Sequence, residues 1–217
     1  MGTITRSFAN NITTSGVLLP ASLNNNSIAN VTAYNAAVAT GNMVLISSQT
    51  ASNSASISFT TGIDSTYKEY QFYFINIGAR TDGTELLFQG STNSGSSYGV
   101  TITSTLFRAY HREADSGDGL AYVTNSDLAQ STSFQPLIQT TTLGNNADDC
   151  LGGTMSLFNP SSTTYVKHFI STASAVETGN WTSYVAGYFN TTSAINAVQF
   201  KMASGNFDGT ILLYGIV

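Results

Sequence analysis

The run from Tyr67 to Ile77 is the densest stretch of aromatic and β-branched residues in the chain. With a period of two, Tyr70, Phe72 and Phe74 share one face and Glu69, Gln71 and Tyr73 the other, which is the pattern of a β-strand. Around Tyr73 to Ile75 both faces are apolar. The segment is therefore expected to be an interior strand of a sandwich, with the remaining strands assembled beside it.

Strand-length segments separated by turn residues continue on either side. Met43 to Ser47 and Ala55 to Thr60 precede the central run, and the Asp82–Gly83 turn leads into Thr84 to Gly90. Tyr98 to Tyr110 and Leu120 to Thr124 follow, joined by Ser116–Gly117–Asp118–Gly119. Asn125 to Ser133 is polar and has room for a short helical turn. Phe134 to Leu143 reads as extended, with Pro136 pushing it towards a sheet edge. Leu151 to Phe158 and Tyr165 to Thr172 read as a hairpin around Asn159–Pro160–Ser161–Ser162. Trp181 to Asn190, Ile195 to Met202 and Thr210 to Val217 complete the series, the last entered through a turn at Ser204 to Gly209. Its two apolar faces, Leu212, Tyr214 and Ile216 against Ile211, Leu213 and Val217, predict a final strand locked into the sheet. No amphipathic helix and no repeat of 20 to 50 residues interrupts the pattern. The expected fold is all-β, an antiparallel β-sandwich of jelly-roll type.

The first forty residues differ in texture. They hold only Phe8 and Tyr34 as aromatics, include the run Asn24–Asn25–Asn26, and show no sustained period. Such a segment builds no core of its own. Its scattered apolar residues Ile4, Phe8, Ile12, Val17, Leu18, Leu19 and Leu23 suit an extended arm that lies against a partner. The expected organisation is an arm over residues 1–40 and a sandwich domain over residues 41–217.

Charge narrows the functional classes. Lys, Arg, Asp and Glu make up only 9% of the chain, the net charge is −5, and no Lys/Arg cluster is present. A groove that tracks phosphates needs clustered cations, so nucleic acid is not an expected partner. No apolar run approaches the ~20 residues of a membrane-spanning helix, and the opening residues lack the pattern of a secretory signal. The Asn-X-Ser/Thr triplets at Asn11, Asn25, Asn30, Asn180 and Asn190 therefore carry little weight. Cys150 is the only cysteine. No intrachain disulfide is possible, and Asp148–Asp149 before it offers a nucleophilic thiol no activating base.

A few groups could carry chemistry. His111, Glu113 and Asp115 fall on one face if the backbone there stays extended, and could ligate a metal or exchange protons. The simpler reading is a polar strand end. Asp115–Ser116–Gly117–Asp118–Gly119 has the oxygens of a calcium loop without its closing Glu, so it reads as a turn. His168, on a face with Val166 and Ile170, reads as a packed histidine. Trp181, Tyr184 and Tyr188 could stack on a sugar, or serve as core and subunit contacts. No phosphate loop, nucleophile elbow or paired-cysteine zinc spacing occurs. No cofactor, metal site or enzymatic activity is expected.

Four segments resemble a known group. They are Thr3 to Val17, Phe107 to Asp115, Leu157 to Phe169 and Asn206 to Ile216, and together they resemble small β-rich virion structural proteins of tailed bacteriophages from aquatic environments, cyanophages included. The resemblance implies a non-enzymatic component of the virion. Its most direct form is a capsid decoration or cement protein, a homotrimer whose arm binds the major capsid protein. The alternative is a tail-associated adhesin that recognises host glycan.

Overall fold

The computed structural model describes residues 42–217. Twelve strands and no helix are found there. The residues of the expected arm, Ile4, Phe8, Ile12, Val17, Leu18, Leu19 and Leu23, lie outside the described residues.

The strands are β1 (Met43–Ser54), β2 (Ile57–Phe59), β3 (Glu69–Ala79), β4 (Leu86–Ser91), β5 (Ile102–Arg112), β6 (Asp118–Tyr122), β7 (Gln135–Pro136), β8 (Leu151–Phe158), β9 (Lys167–Val176), β10 (Gly179–Phe189), β11 (Ala197–Met202) and β12 (Phe207–Ile216). They form an eight-stranded sheet in the order β1-β12-β3-β8-β9-β10-β5-β6 and a four-stranded sheet in the order β2-β11-β4-β7. Every pairing is antiparallel. The blocks β1-β12-β3-β8 and β2-β11-β4-β7 are the two halves of a jelly roll, with the chain passing between sheets at β1/β2, β2/β3, β3/β4, β4/β5, β6/β7, β7/β8, β10/β11 and β11/β12. Two hairpins, β5–β6 and β9–β10, are insertions in that scheme. They extend the larger sheet by four strands beyond β8.

The central strand is interior, as its composition predicts, hydrogen-bonded to β12 and β8. Its Tyr70, Phe72 and Phe74 are buried. They meet the smaller sheet through edge-to-face aromatic contacts, with Phe200 5.1 Å from Phe72 and 5.3 Å from Phe74, and Phe59 5.4 Å from Phe72. The other face is not covered: Ile75 is 42% exposed and Tyr73 half-buried. Apolar residues on both faces of β3 thus mark a strand inside a sheet, and do not mark burial on both sides. β12 behaves alike, with Ile211 and Leu213 buried and Leu212, Tyr214 and Ile216 half-buried on the open side.

A bulge re-phases β3. Asn76 takes φ 50° where the register slips between Phe74 and Ile77, so Ile75 and Asn76 both point outward and Ile77 returns to the core. Opposite it, Gly209 has φ 121°, and a Cβ there would lie 2.5 Å from the Asn76 carbonyl oxygen. Only glycine fits. The bulged corner is tied by Arg80, whose Nη2 donates to Asp208 Oδ1 at 2.8 Å while its Nε donates to Oδ2, and by Asn53 N, which donates to the same carboxylate at 2.9 Å. This pairing, Arg80 foremost, lowers the Asp208 pKa.

Several sequence expectations need correction. β1 runs on to Ser54, well past Ser47, because its polar second half still finds partners on β12. β9 and β10 run to Val176 and from Gly179, so a tight Glu177–Thr178 turn joins them where no hairpin was read. The small Ala173, Ser174 and Ala175 of β9 carry weak strand propensity, and pairing on both sides overrides it. The loop after β8 spans residues 159–166, longer than the predicted four or five. Asn125 to Ser133 holds no helical turn. Pro136 does sit on the edge strand of its sheet.

The inserted hairpins rest on the loop between β6 and β8. Its Val123, Leu137, Ile138 and Leu143 are buried. Gln135, fully buried, accepts from Ser104 Oγ and donates to the carbonyls of Ser126 at 2.9 Å and Pro136 at 2.8 Å. A buried amide satisfied this way holds one loop conformation. Phe200 touches four other phenylalanines between the sheets, Phe59, Phe72, Phe74 and Phe88. Phe200→Ala should therefore cost about 3–5 kcal/mol, measured by urea unfolding, whereas the same change at half-exposed Tyr214 should cost less.

Candidate functional site

The outward residues of the larger sheet form one surface, which the strand registers define row by row. One row runs Ser48, Leu212, Tyr73, Thr154, Thr172, Tyr184, Phe107, Tyr122, and the next Leu45, Tyr214, Gln71, Ser156, Ile170, Ala186, Thr105. Of the ten large apolar side chains exposed among the described residues, eight stand on this face: Met43, Leu45, Ile75, Phe107, Leu120, Tyr122, Ile170 and Tyr184. These two rows contain no Lys, Arg, Asp or Glu. Charge returns only at the margins, with Glu69 in one outer row and Asp118 beside His111 in another.

Within the face lies a trough. Phe158, His168 and Tyr188 wall one end of a concavity of about 470 Å³ that Ile170, Ala186 and Thr105 floor. It continues into a smaller recess of about 210 Å³ towards Phe107 and Tyr184. Phe107 and Tyr184 stack with ring centroids 4.9 Å apart and 12° between planes, making a flat ridge. His168 tilts against Tyr188 at 5.9 Å. Small residues at the centre, Ala186 with Thr105 across the strands, create the hollow. Beneath it Gly187 leaves room for Phe169, since a Cβ there would lie 2.6 Å from the Phe169 ring.

This arrangement divides the predicted aromatic platform. Tyr184 and Tyr188, four residues apart, share the open face. Trp181, at odd spacing from both, points to the opposite side and is 7% exposed. There it stacks on Tyr110 at 4.7 Å with the Arg108 guanidinium over both rings. Phe107 takes the place sequence reading gave to Trp181, and only the β5–β10 register brings it there.

His168 is likewise corrected: it is exposed, and its neighbour Lys167 is buried instead. Lys167 Nζ donates to the carbonyls of Tyr165 at 2.9 Å and Thr191 at 3.0 Å, tying the loop after β8 to the loop after β10. Nothing in the local sequence marks a lysine for burial. It takes the inward position because Phe169 and Ser171 follow at the same parity.

The remaining candidates are scattered. β5 ends at Arg112, and Asp115 adopts φ 52° in the turn, so His111, Glu113 and Asp115 do not line one extended face. His111 Nε2 and Asp115 Oδ1 lie 3.1 Å apart, both strongly exposed, and Glu113 N donates to the Thr178 carbonyl. Of Asp115 to Gly119, the first three residues lie in the β5–β6 turn, closed by Arg112 N donating to the Gly117 carbonyl, and Asp118 and Gly119 open β6. Asp149 is buried and accepts from Asn146 N at 3.0 Å and Nδ2 at 2.8 Å, a self-contained loop; Cys150 beside it is half-buried. Among the described residues, no three His, Cys, Asp or Glu side chains are gathered as a metal site, and no helix is long and apolar enough to cross a membrane.

Fold and face together define a jelly-roll protein with an enlarged sheet whose outer side is open, rich in exposed aromatic and aliphatic side chains and poor in charge. In sequence comparisons no protein-family model matches the chain, and no curated protein matches it significantly.

Burial lowers the Lys167 pKa below its ordinary value of 10.5. Between the lowered folded value and 10.5 the unfolded chain holds more protons than the folded one, so unfolding free energy rises with pH there. Urea titrations at stepped pH should show wild-type protein gaining stability relative to Lys167→Met as pH approaches 10.5. At neutral pH the variant, which leaves two carbonyls without their donor, should lose about 1–3 kcal/mol. A difference that shrinks as pH rises would contradict the assignment.

Proposed function

We propose that this protein is a non-enzymatic structural component of a bacteriophage virion, a decoration or cement protein that binds the capsid surface. The observation that carries this reading is the open sheet face: eight large exposed apolar residues collected on one side, with charge confined to its margins. A surface of that kind marks an interaction site. Resemblance to small virion proteins of aquatic phages supplies the setting. Jelly rolls occur in viral capsid domains, which supports the setting by analogy of fold. On this reading the arm, residues 1–40, engages the major capsid protein, and the sandwich domain adds contact area that holds neighbouring subunits together.

One feature favours a second reading. The trough between the His168–Tyr188 and Phe107–Tyr184 pairs presents aromatic faces at sugar-ring scale, as a tail-associated protein binding host glycan would. Lectins, too, use the jelly roll.

Particle composition separates the two. Quantitative proteomics of purified virions should give a copy number in proportion to the capsid subunits; a number matching the low symmetry of the tail would favour the adhesin. Deleting residues 1–35 should leave a soluble β-rich domain by circular dichroism that no longer sediments with particles. Continued co-sedimentation would remove the arm from the mechanism.

A further inference from the structure

We infer that the open face of the eight-stranded sheet is covered by a second copy of this chain, in a face-to-face pair. The inference deepens the structural reading above by giving the open face to self-association and leaving the arm to engage the capsid; it rests on that reading only for the setting, and its physical basis is the face itself.

Area is the first argument. Eight strands spaced ~4.8 Å apart, each showing about nine residues of ~3.3 Å rise, present on the order of 1,100 Å² of sheet. A stable specific interface takes about 800 Å² from each partner. The face is large enough by itself, and no single groove in it is.

Charge is the second. The chain carries a net charge of −5, so two copies repel at a distance. The two rows at the centre of the face contain no Lys, Arg, Asp or Glu, and the row beside them adds only Glu69 and the trough-wall His168, so contact desolvates little unpaired charge. Glu69 at one margin is already held by Ser156 Oγ at 2.8 Å. A basic partner would instead be met by an acidic patch, which this face lacks.

Shape is the third. A two-fold contact must be self-complementary, so one surface has to offer both a projection and a recess. The Phe107–Tyr184 ridge and the trough floored by Ala186 and Thr105 stand side by side as neighbouring rows of the same two strands, β5 and β10. In a pair packed ~10 Å sheet to sheet, the ridge of each copy enters the trough of the other. Buried aromatic anchors of this kind dominate binding energy, and Ile170 at 54% exposure lies between them. This geometry gives a two-fold pair in place of the homotrimer expected from the resemblance.

The test is the mass in solution of the full chain at roughly 100 μM, well above the Kd of a stable interface. Light scattering after size exclusion should give twice 22.9 kDa. Ile170→Lys and Phe107→Glu, both at exposed positions, should each give the single-chain mass with unchanged circular dichroism and a thermal midpoint that no longer rises with protein concentration, while Tyr184→Phe stays paired. Salt should not dissociate the pair, because it screens the net repulsion and leaves the apolar contact intact. A single-chain mass for the wild type overturns the inference, as does an assembly whose mass survives both charge substitutions. Binding of a sugar by a wild-type chain that stays monomeric overturns it in favour of a glycan occupant. Co-sedimentation with particles separates this inference from the proposed role. A paired chain that ignores particles removes the role and leaves the pair; a monomeric wild-type chain that binds them removes the pair and leaves the role.

Discussion

The structure depends on one contact, the burial of the inner side of β3 against β11 of the smaller sheet. Phe72 and Phe74 meet Phe200 edge to face, and Phe59 closes the cluster from β2. Because β3 also pairs with β12 and β8, this contact sets the inner face for the whole larger sheet: a strand's alternation, once fixed at one point, passes through the registers to its neighbours. Phe72 aligns with Met155, Met155 with Ser171, Ser171 with Val185 and Val185 with Leu106, and every one of them is buried.

The same propagation creates the open face. Where the jelly-roll halves overlap, the small sheet covers the large one; beyond β8 the inserted hairpins are covered on the inner side by the loop from Val123 to Leu143 and held by Gln135. Nothing among the described residues covers the outer side. Aromatic and branched side chains at outward positions therefore stay exposed among the described residues, concentrated on one face. The buried Lys167, satisfied by two carbonyls, braces the loops at the end of the trough nearest His168 and Tyr188.

Much of this architecture was legible from residue order. The period-two runs located most strands, Pro136 announced an edge, and the aromatic density of Tyr67 to Ile77 marked an interior strand of the larger sheet. Strand ends were less legible, as at β1 and β9, since serine, alanine and asparagine signal sheet weakly and join it only where a neighbouring strand holds them. The site was legible in fragments. Tyr184 and Tyr188 were singled out, and their even spacing already placed them together; Trp181 at odd spacing already belonged elsewhere. Phe107 and Ile170 lie far from them in the chain and had no local signal, because the trough exists only where β9, β10 and β5 align.

The amino-acid order by itself determined that this chain is all-β, which residues share a side of each strand, and that the surface is poor in charge. Alternation is a local property of the backbone, so sequence carries it in full. Tertiary structure alone decided which side is covered, that Lys167 turns inward while His168 turns out, and that two hairpins widen one sheet of the jelly roll. Those outcomes follow from pairings such as Met43 with Ile216 and Phe107 with Tyr184, made between residues distant in the chain, where no neighbour in sequence holds the information.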